Sequence, residues 1–342
     1  MHQRLFSHSA VSTGAFFVLA CVSGVAQSPY KVIDHWKVGG TGGWDYLLAD
    51  GNSQRLYLTH GDRVDVLDTK TGKSVGAITG LKGTHGVVLD DRTNLGYISD
   101  GRANQVVIFD RGTLGVVGTI PAGTNPDGMT LEPTTRTLWA FNGKSNNVTV
   151  IDLATRKVVA TTNLPGKPEF PEADGKGNVF VNIEDKNVIV KLSAASHEVV
   201  EVLPLSNCES PSGMAIDTTH KRLFSVCDGG KMAVVDTATG KQLATAAIGD
   251  GPDAAGYNGT AQLAFSSNGD GTLSIIDAAH GYKSVQTVPT AKGARTMSYD
   301  PSTDRVYLVT AGFGPQPAPT ADQPRPRPPI LPGTFEVLVV GR

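Results

Sequence analysis

Seven side chains that could bind a ligand or catalyse a reaction recur at a nearly constant interval along the chain. Each stands directly before a short apolar run, and successive members are 40, 42, 42, 43, 41 and 42 residues apart. The set comprises Asp45, His85, Asp127, Glu169, Ser212, Asp253 and Arg295. Carboxylates and an imidazole can coordinate a cation or move protons, and a guanidinium can hold an anion. We therefore asked which elements would bring these seven side chains together.

A period of about 40 residues over most of a chain is typical of repeat architectures. Each repeat contains four short runs that alternate between apolar and polar residues, bounded by Gly, Pro, Asn and Asp. In the third repeat these runs cover residues 128–131, 137–141, 147–151 and 157–161. Such runs are typical of β-strands, and no stretch has a convincing helical period. The pattern predicts an all-β protein in which seven small sheets surround a central channel.

The last repeat lacks its fourth strand. The chain ends at Arg342, directly after the third apolar run of that repeat, whereas residues 30–38 near the beginning read like the fourth strands of the other repeats. We expect this N-terminal segment to complete the final sheet, which would close the ring and leave no exposed sheet edge.

A proline-rich segment, residues 314–333, interrupts the last repeat between its second and third strands. It contains eight prolines, which exclude a hydrogen-bonded ladder and favour an extended polyproline conformation. We interpret it as a loop inserted in the last sheet and not as a domain boundary. It is either a stiff surface loop or a lid or docking arm for a partner.

An aromatic side chain stands near the middle of each predicted second strand. A stripe of this kind could stack against bases or sugars, but aromatic residues inside strands are usually core. We expect the following residues to pack between adjacent sheets: Tyr57, Tyr97, Trp139, Phe180, Phe224, Phe265 and Tyr307.

Short motifs within the repeats resemble a known family. Pro-x-Gly precedes the first strand at residues 126–128 and 211–213, and Val-Thr-Val-Ile-Asp-Leu-Ala-Thr occupies residues 148–155. Over residues 30 to 342 the chain is similar to the YVTN-type (YncE-like) β-propeller repeats. The resemblance implies a seven-bladed β-propeller and a periplasmic or surface protein. Related propellers bind nucleic acid, hydrolyse lactones or accompany redox enzymes, so the resemblance does not fix the function.

A propeller would gather the seven recurring residues at one mouth of the channel, which we call the funnel. The loops after the second strands should surround them with His60, Asp100, Asn142, Glu184, Asp185, Asp228, Asn268 and Asp270. Glu172, three residues after Glu169, is a further funnel candidate because paired carboxylates can perform acid/base chemistry. Sequence drift in this irregular fourth repeat is the competing explanation.

The composition of the funnel suggests three kinds of ligand. Its carboxylates could hold Ca²⁺ or another divalent ion, and His60 with His85 could add ligands for a transition metal. Arg295, with Lys292 nearby, could anchor an anionic group. No cofactor is firmly predicted, and solvated polar residues at strand entries are the simplest interpretation.

The leading hypothesis for function is a binding scaffold, because no catalytic motif is complete. The chain contains no GxSxG, HExxH or c-type haem motif. The alternative is a lactonase-like hydrolase or lyase, with or without the assistance of a metal, with His85, Asp127, Glu169 and Arg295 as catalytic candidates. The net charge of −2 does not encourage nucleic-acid binding, although the family resemblance permits it.

The first 26 residues read as a secretory signal peptide. Arg4 precedes a mostly apolar stretch at residues 10–25, and small residues occupy positions 24 and 26. Residues 18–21 also resemble a lipobox, which would place a lipid on Cys21 instead. We expect a single exported domain over residues 27–342, periplasmic or secreted, with no membrane span.

Two cysteines remain beyond this leader. Cys208 precedes one predicted strand and Cys227 ends the next, so both lie at the same end of a hairpin. An oxidising compartment would favour a disulfide between them, and two buried thiols are the alternative.

Overall fold

The computed structural model describes residues 1–2, 28–320 and 326–342. Within this part of the chain, seven four-stranded antiparallel sheets follow one another in sequence, which is the architecture of a seven-bladed β-propeller. The predicted fold class is therefore confirmed. Apart from residues 1–2, the predicted signal peptide and Cys21 lie outside the described residues.

The blades use the strands in chain order, from the channel outward. The first strand of the chain, β1 (Lys31–Lys37), belongs to the last blade. Blade 1 contains β2 (Trp44–Asp50), β3 (Arg55–His60), β4 (Arg63–Asp68) and β5 (Ser74–Ile78). Blade 2 contains β6 (Thr84–Asp90), β7 (Leu95–Asp100), β8 (Gln105–Asp110) and β9 (Val116–Pro121). Blade 3 contains β10 (Pro126–Glu132), β11 (Thr137–Asn142), β12 (Asn147–Asp152) and β13 (Lys157–Asn163).

The second half of the ring repeats this order. Blade 4 contains β14 (Pro168–Ala173), β15 (Asn178–Ile183), β16 (Val188–Ser193) and β17 (Val199–Pro204). Blade 5 contains β18 (Met214–Asp217), β19 (Arg222–Cys227), β20 (Lys231–Asp236) and β21 (Gln242–Ala247). Blade 6 contains β22 (Pro252–Asn258), β23 (Leu263–Asn268), β24 (Thr272–Asp277) and β25 (Lys283–Pro289). Blade 7 contains β26 (Thr296–Asp300), β27 (Arg305–Thr310) and β28 (Glu336–Gly341). Two single-turn 3-10 helices, Gly101–Ala103 and Glu184–Lys186, follow β7 and β15.

The hydrophobic core lies between the faces of neighbouring blades. The seven aromatic residues predicted for the second strands are all almost completely buried. Tyr57 of blade 1, for example, packs against Phe109 of blade 2 with ring centroids 5.8 Å apart. The aromatic stripe is therefore core, and it holds adjacent sheets together instead of offering a stacking surface.

A polar residue ends each first strand, five positions after the recurring funnel residue. The set comprises Asp50, Asp90, Glu132, Asp174, Asp217, Asn258 and Asp300. Their side-chain oxygens accept hydrogen bonds from the backbone or hydroxyl groups of the following turn. Such side-chain turns set the tight connection to the second strand.

Two of these carboxylates also bind arginines from the next blade. Arg136 donates to both oxygens of Asp90, at 2.6 and 2.8 Å, and Arg111 lies 2.6 Å from Asp50. Of these two ion pairs, only Asp90–Arg136 is bidentate, a geometry stronger than that of ordinary surface ion pairs. They link blade 3 to blade 2 and blade 2 to blade 1.

The N-terminal strand closes the ring, as predicted. β1 pairs antiparallel with β28 from Lys31–Gly341 to Lys37–Glu336, with one irregularity between Val32 and Asp34. Trp36 is its anchor: its ring lies 5.6 Å from that of Tyr307 and covers Gly72 in the outer turn of blade 1. A Cβ at Gly72 would stand 2.4 Å from the indole, so this turn requires glycine.

The proline-rich loop is tied down at its base. Phe313 forms an isolated bridge with Ile330, and the Gly314 amide donates to the Pro329 carbonyl at 2.8 Å. A disulfide joins Cys208 and Cys227, whose Cα atoms lie 5.2 Å apart, at the funnel end of blade 5. Within the described ranges, no helix is long and apolar enough to cross a membrane.

Replacing Trp36 with alanine should destabilise the protein by about 3 kcal/mol, because a large buried aromatic is lost from the strand that closes the ring. Lys37→Ala, on the exposed side of the same strand, is the matched control and should change the free energy of unfolding by less than about 0.5 kcal/mol. Equilibrium urea unfolding measures both. Equal effects of the two substitutions would contradict the anchoring role of Trp36.

The Asp90–Arg136 pair should give a measurable acid dependence. The hydrogen bonds from Arg136 lower the pKa of Asp90 to about 2, although burial acts in the opposite direction. A lowered pKa stabilises the fold above the unfolded value near 4, and this contribution is lost as the pH falls toward 2.

We expect Asp90→Asn to cost about 2 kcal/mol at pH 7 and progressively less between pH 4 and pH 2, as judged by unfolding curves. Asp91→Asn, in the same turn but mostly exposed, should have little effect at any pH. A pH-independent cost for Asp90→Asn would contradict this assignment.

Candidate functional site: the funnel

Irregular strand pairing at the start of the first strands orients the recurring side chains toward the channel. The registers of β2, β6, β10, β14 and β22 shift at or beside the recurring residue, for example between Thr84 and Val87 around His85. Bulges of this kind re-aim side chains at the ends of strands. The next residue is glycine in blades 2, 3 and 5. A Cβ on Gly128 or Gly213 would meet the neighbouring first strand at about 2.6 and 2.5 Å, so the strands approach closely around the axis.

His85 lies between two carboxylates of the adjoining blades. Its Nδ1 is 2.7 Å from Asp45 Oδ2 and 3.7 Å from Asp127 Oδ1. Burial disfavours the charged imidazole, but the hydrogen bond to Asp45 and the charge of Asp127 win and raise the pKa of His85 to about 9. The imidazole is therefore protonated at neutral pH and acts as the cation of this group.

Burial and mutual repulsion make the ionised forms of Asp45 and Asp127 unfavourable. Burial, followed by repulsion from Asp45, raises the pKa of Asp127 to about 6. Burial also raises the pKa of Asp45, although the hydrogen bond with His85 opposes it. One imidazolium thus offsets two desolvated carboxylates, and the site retains affinity for further positive charge.

Glu169 continues this acidic side. Burial and the nearby charge of Asp127 raise its pKa to about 8, although the Lys167 ammonium lies 2.5 Å away. Lys167 also contacts Glu184, so this lysine is shared between two carboxylates. Glu184, in the loop after β15, therefore lies in the same group of charges as Glu169.

Arg295 and Asp253 form the opposite side of the ring. The Arg295 Nε lies 3.3 Å from Asp253 Oδ2, and both are only partly accessible. Ser212 is nearly buried, and its hydroxyl donates to the Pro252 carbonyl at 3.2 Å. Ser212 therefore links blade 5 to blade 6 and does not project into the funnel as a free nucleophile.

Two aromatic rings close the channel directly beneath the ring of polar residues. Tyr46 of blade 1 and Phe170 of blade 4 meet edge to face across the axis, with ring centroids 4.8 Å apart. They occupy the positions that are glycine in blades 2, 3 and 5. We call this pair the plug, because it separates the funnel from the opposite mouth of the channel.

A cavity of about 690 Å³ opens on the Arg295 side of the funnel, under the proline-rich loop. Trp44, Phe313 and Ile330 form an apolar wall, with Trp44 6.1 Å from the ring of Phe313. Lys292, Arg295 and Arg327 also line this cavity. We refer to it as the cationic pocket.

Several predicted loop residues are structural instead of exposed. His60, Asp100, Asn142 and Asn268 are fully buried. Asp100 accepts the amides of Lys82 and Gly83, and Asn142 donates to Asn147. Asp100 thus fixes the backbone of the incoming loop, whereas His60, Asn142 and Asn268 bond to polar side chains of the following strand. These four residues are therefore not brought to the funnel surface.

Of the remaining loop candidates, two hold loop backbone in place and one is exposed to solvent. Asp185 accepts the Lys167 amide at 2.7 Å, and Asp270 accepts the Asp250 amide at 2.8 Å, so both shape loops. Asp228 is exposed in the turn after β19, next to the disulfide.

Glu172 is not in the funnel. It lies three residues beyond Glu169 on β14, a rise of roughly 10 Å, and it lines a cavity on the far side of the plug. The two carboxylates therefore cannot act as an acid/base pair on one substrate.

Sequence reasoning missed Trp44, Phe313 and Arg327 as neighbours of Arg295. Phe313 directly precedes the proline-rich segment and Arg327 lies within it, outside the repeat pattern, and the Phe313–Ile330 bridge holds the base of this segment at the funnel. Lys167 precedes Glu169 by two residues and could have been found as a nearby cation. The plug was visible only as two aromatic residues that replace glycine at one repeat position.

A metal ion has one set of convergent ligands among the described residues. The ligand atoms of Asp45, His85 and Asp127 lie within 4.8 Å of one another. Two carboxylates and one imidazole suit a transition metal, whereas Ca²⁺ takes six to eight oxygen ligands. His60 is buried against Phe335, at 4.4 Å between ring centroids, and adds nothing to this set.

Comparison with known proteins supports the fold and goes no further. No protein-family model and no curated protein matches the chain. Among solved structures, Kuenenia stuttgartiensis hydrazine synthase superposes with a TM-score of 0.70 at 16% identity, covering 78% of this chain and 92% of that one. The structure of U3-55K superposes with a TM-score of 0.72 at 10% identity, covering 90% and 98%. At these identities, the likeness is one of β-propeller architecture alone.

Proposed function

We propose that this chain is an exported, YncE-like β-propeller that binds a small amphipathic anion in the cationic pocket. The observation that carries the proposal is the composition of that pocket: three cations surround an apolar wall. Among the described residues, Arg295 lies 3.3 Å from Asp253, Lys292 forms no ion pair, and Arg327 acts on Asp253 only by longer-range electrostatic attraction.

The geometry suits an organic carboxylate. Its charged end would bind Arg295 and Lys292, and its apolar part would lie against Trp44 and Phe313. Small-molecule sites combine an apolar lining with a few charged groups in this way, and a volume of about 690 Å³ falls within their usual range. The anchored base of the proline-rich loop supplies one wall, which gives that insertion a role in binding.

Two features support export. The pattern of residues 1–26 is that of a secretory signal, and the Cys208–Cys227 disulfide is the kind of bond that persists in oxidising compartments. Expression in a bacterium, followed by fractionation and N-terminal sequencing of the product, tests this part of the proposal.

A second function, metal-assisted hydrolysis of a lactone or ester, is favoured by one specific observation. Asp45, His85 and Asp127 converge as possible ligands, and Glu169 stands beside them with its pKa raised to about 8. A cation held there would polarise the substrate carbonyl for attack by a water molecule, which would lose its proton to a neighbouring carboxylate. In its acid form, which burial and the charge of Asp127 favour, Glu169 could donate a proton to the leaving oxygen as the C–O bond breaks.

Binding in the cationic pocket predicts a clear preference among probes. Phenylacetate or octanoate should raise the melting temperature and give saturable heats in calorimetry, whereas the corresponding amides should not. Lys292→Gln and Arg295→Gln should each weaken binding about tenfold, the loss expected for one charge-assisted contact.

Arg92→Gln, an exposed cation in the turn after β6, is the matched control and should leave the affinity unchanged. Equal binding of acids and amides, or equal affinity of the Arg295→Gln variant, would refute the assignment of the pocket to anions.

The metal hypothesis predicts a proton-linked affinity. The neighbouring carboxylates hold the pKa of His85 at about 9 against the effect of burial, so a metal must displace its proton. The apparent affinity for Zn²⁺ or Mn²⁺ should therefore rise about tenfold per pH unit between pH 6 and pH 9.

Calorimetry measures this slope, and a chromogenic ester measures the associated turnover. His85→Gln should abolish both, whereas His280→Gln, an exposed histidine in another blade, should affect neither. Metal affinity that does not depend on pH or on His85 would exclude this site.

A further inference from the structure

The opposite mouth of the channel contains a second cavity, of about 430 Å³, beneath the plug. We call it the lower cavity. It is lined by the ends of the first strands of blades 1 to 4 and by the first turn of blade 7. Phe170 of the plug is among its lining residues, so the Tyr46–Phe170 contact stands between this cavity and the funnel.

The walls of the lower cavity are mostly apolar. Leu48, Val88, Met129, Leu131 and Phe170 contribute side chains from four successive blades. No Lys, Arg or His is among the lining residues. An anion would therefore find no positive partner here.

The acidic residues at the border of the cavity are already bound. Asp50 accepts hydrogen bonds from Ser53 and Arg111, and Asp91 lies 3.4 Å from Arg111. Asp300 accepts from the Ser302 amide and from the hydroxyls of its own turn. These carboxylates are held by the turns and by the contact between blades 1 and 2.

Glu172 is different because its carboxylate has no partner. Among the described residues, no side chain or backbone group forms a hydrogen bond or ion pair with it. Burial alone raises its pKa to about 8. Its side chain is only partly buried and lines the cavity, so the carboxylate is free to accept a cationic ligand there.

We propose that the lower cavity binds an organic ammonium ion, with its charge against the Glu172 carboxylate and its apolar part against Leu48, Met129 and Phe170. The ring of Phe170 offers a further favourable surface for a cation. The cavity volume lies within the range of small-molecule sites. Ca²⁺ fits poorly, because one free carboxylate cannot replace the six to eight oxygens that it requires.

Such a ligand would be coupled to protons. Ammonium binding needs ionised Glu172, so the affinity should increase about tenfold per pH unit from pH 6 and level off near pH 8. Asp50, Asp91 and Asp300 also border the cavity, but their partners persist over this range. A quaternary ammonium ion cannot lose its charge, so its affinity should stay constant above pH 8.

The test uses the mature chain, with choline and benzyltrimethylammonium as probes and 3,3-dimethyl-1-butanol as the uncharged analogue of choline. Calorimetry at several pH values should give saturable binding of both cations and none of the alcohol. Glu172→Gln, which keeps the side-chain shape, should weaken binding at least about tenfold and remove the pH dependence.

Two controls separate this site from the funnel. Glu198→Gln changes an exposed glutamate of blade 4 that does not line the cavity, and Arg295→Gln changes the cationic pocket; neither should alter ammonium affinity. Failure of carboxylates to bind would therefore leave this proposal intact, and the reverse also holds. The proposal is overturned if neither cation binds at about 10 mM and pH 8, if the alcohol binds equally well, or if Glu172→Gln binds with unchanged affinity and pH dependence. The pH profile of the unmodified protein provides a readout that does not depend on the folding of any variant.

Discussion

The antiparallel pairing of β1 with β28 is the interaction on which the rest of this structure depends. It joins the first and last strands of the described chain in one blade and covers the edge that β28 would otherwise expose. Trp36 extends the closure beyond blade 7, because its ring also covers the outer turn of blade 1. The relative positions of all seven first strands, and therefore of the funnel residues, follow from this closure.

Closure has an electrostatic consequence at the funnel. Side chains from seven blades converge on a narrow mouth, where they lose water and cannot move apart. On one side, the His85 imidazolium offsets the charges of Asp45 and Asp127. On the other side, the Arg295 guanidinium pairs with Asp253. The result is an uneven ring, acidic on the side of blades 1 to 4 and cationic beneath the proline-rich loop. This asymmetry allows one mouth to favour anions on one side and cations on the other.

Features that recur in every repeat could be predicted from the sequence, whereas features found in only one or two repeats could not. The period of about 42 residues, the alternating runs and the buried aromatic residues were enough to predict seven blades and the closing strand. Contacts across the axis or through an insertion have no local pattern: Trp44 meets Phe313 only because the loop folds back over blade 1. The separation of Glu169 from Glu172 was also hidden, because the extended run of β14 carries the second carboxylate past the plug. The burial of His60, Asp100, Asn142 and Asn268 depended on the direction of the last side chain of each second strand.

The edge-to-face contact of Tyr46 with Phe170 changes how the whole ring must be regarded. In a propeller channel open from end to end, solvent, protons and ligands could diffuse from one mouth to the other. Here the plug divides the channel into two separate recesses, the funnel and the lower cavity. Residues at one end of the first strands can therefore be replaced, and one recess altered, without changing the side chains that line the other.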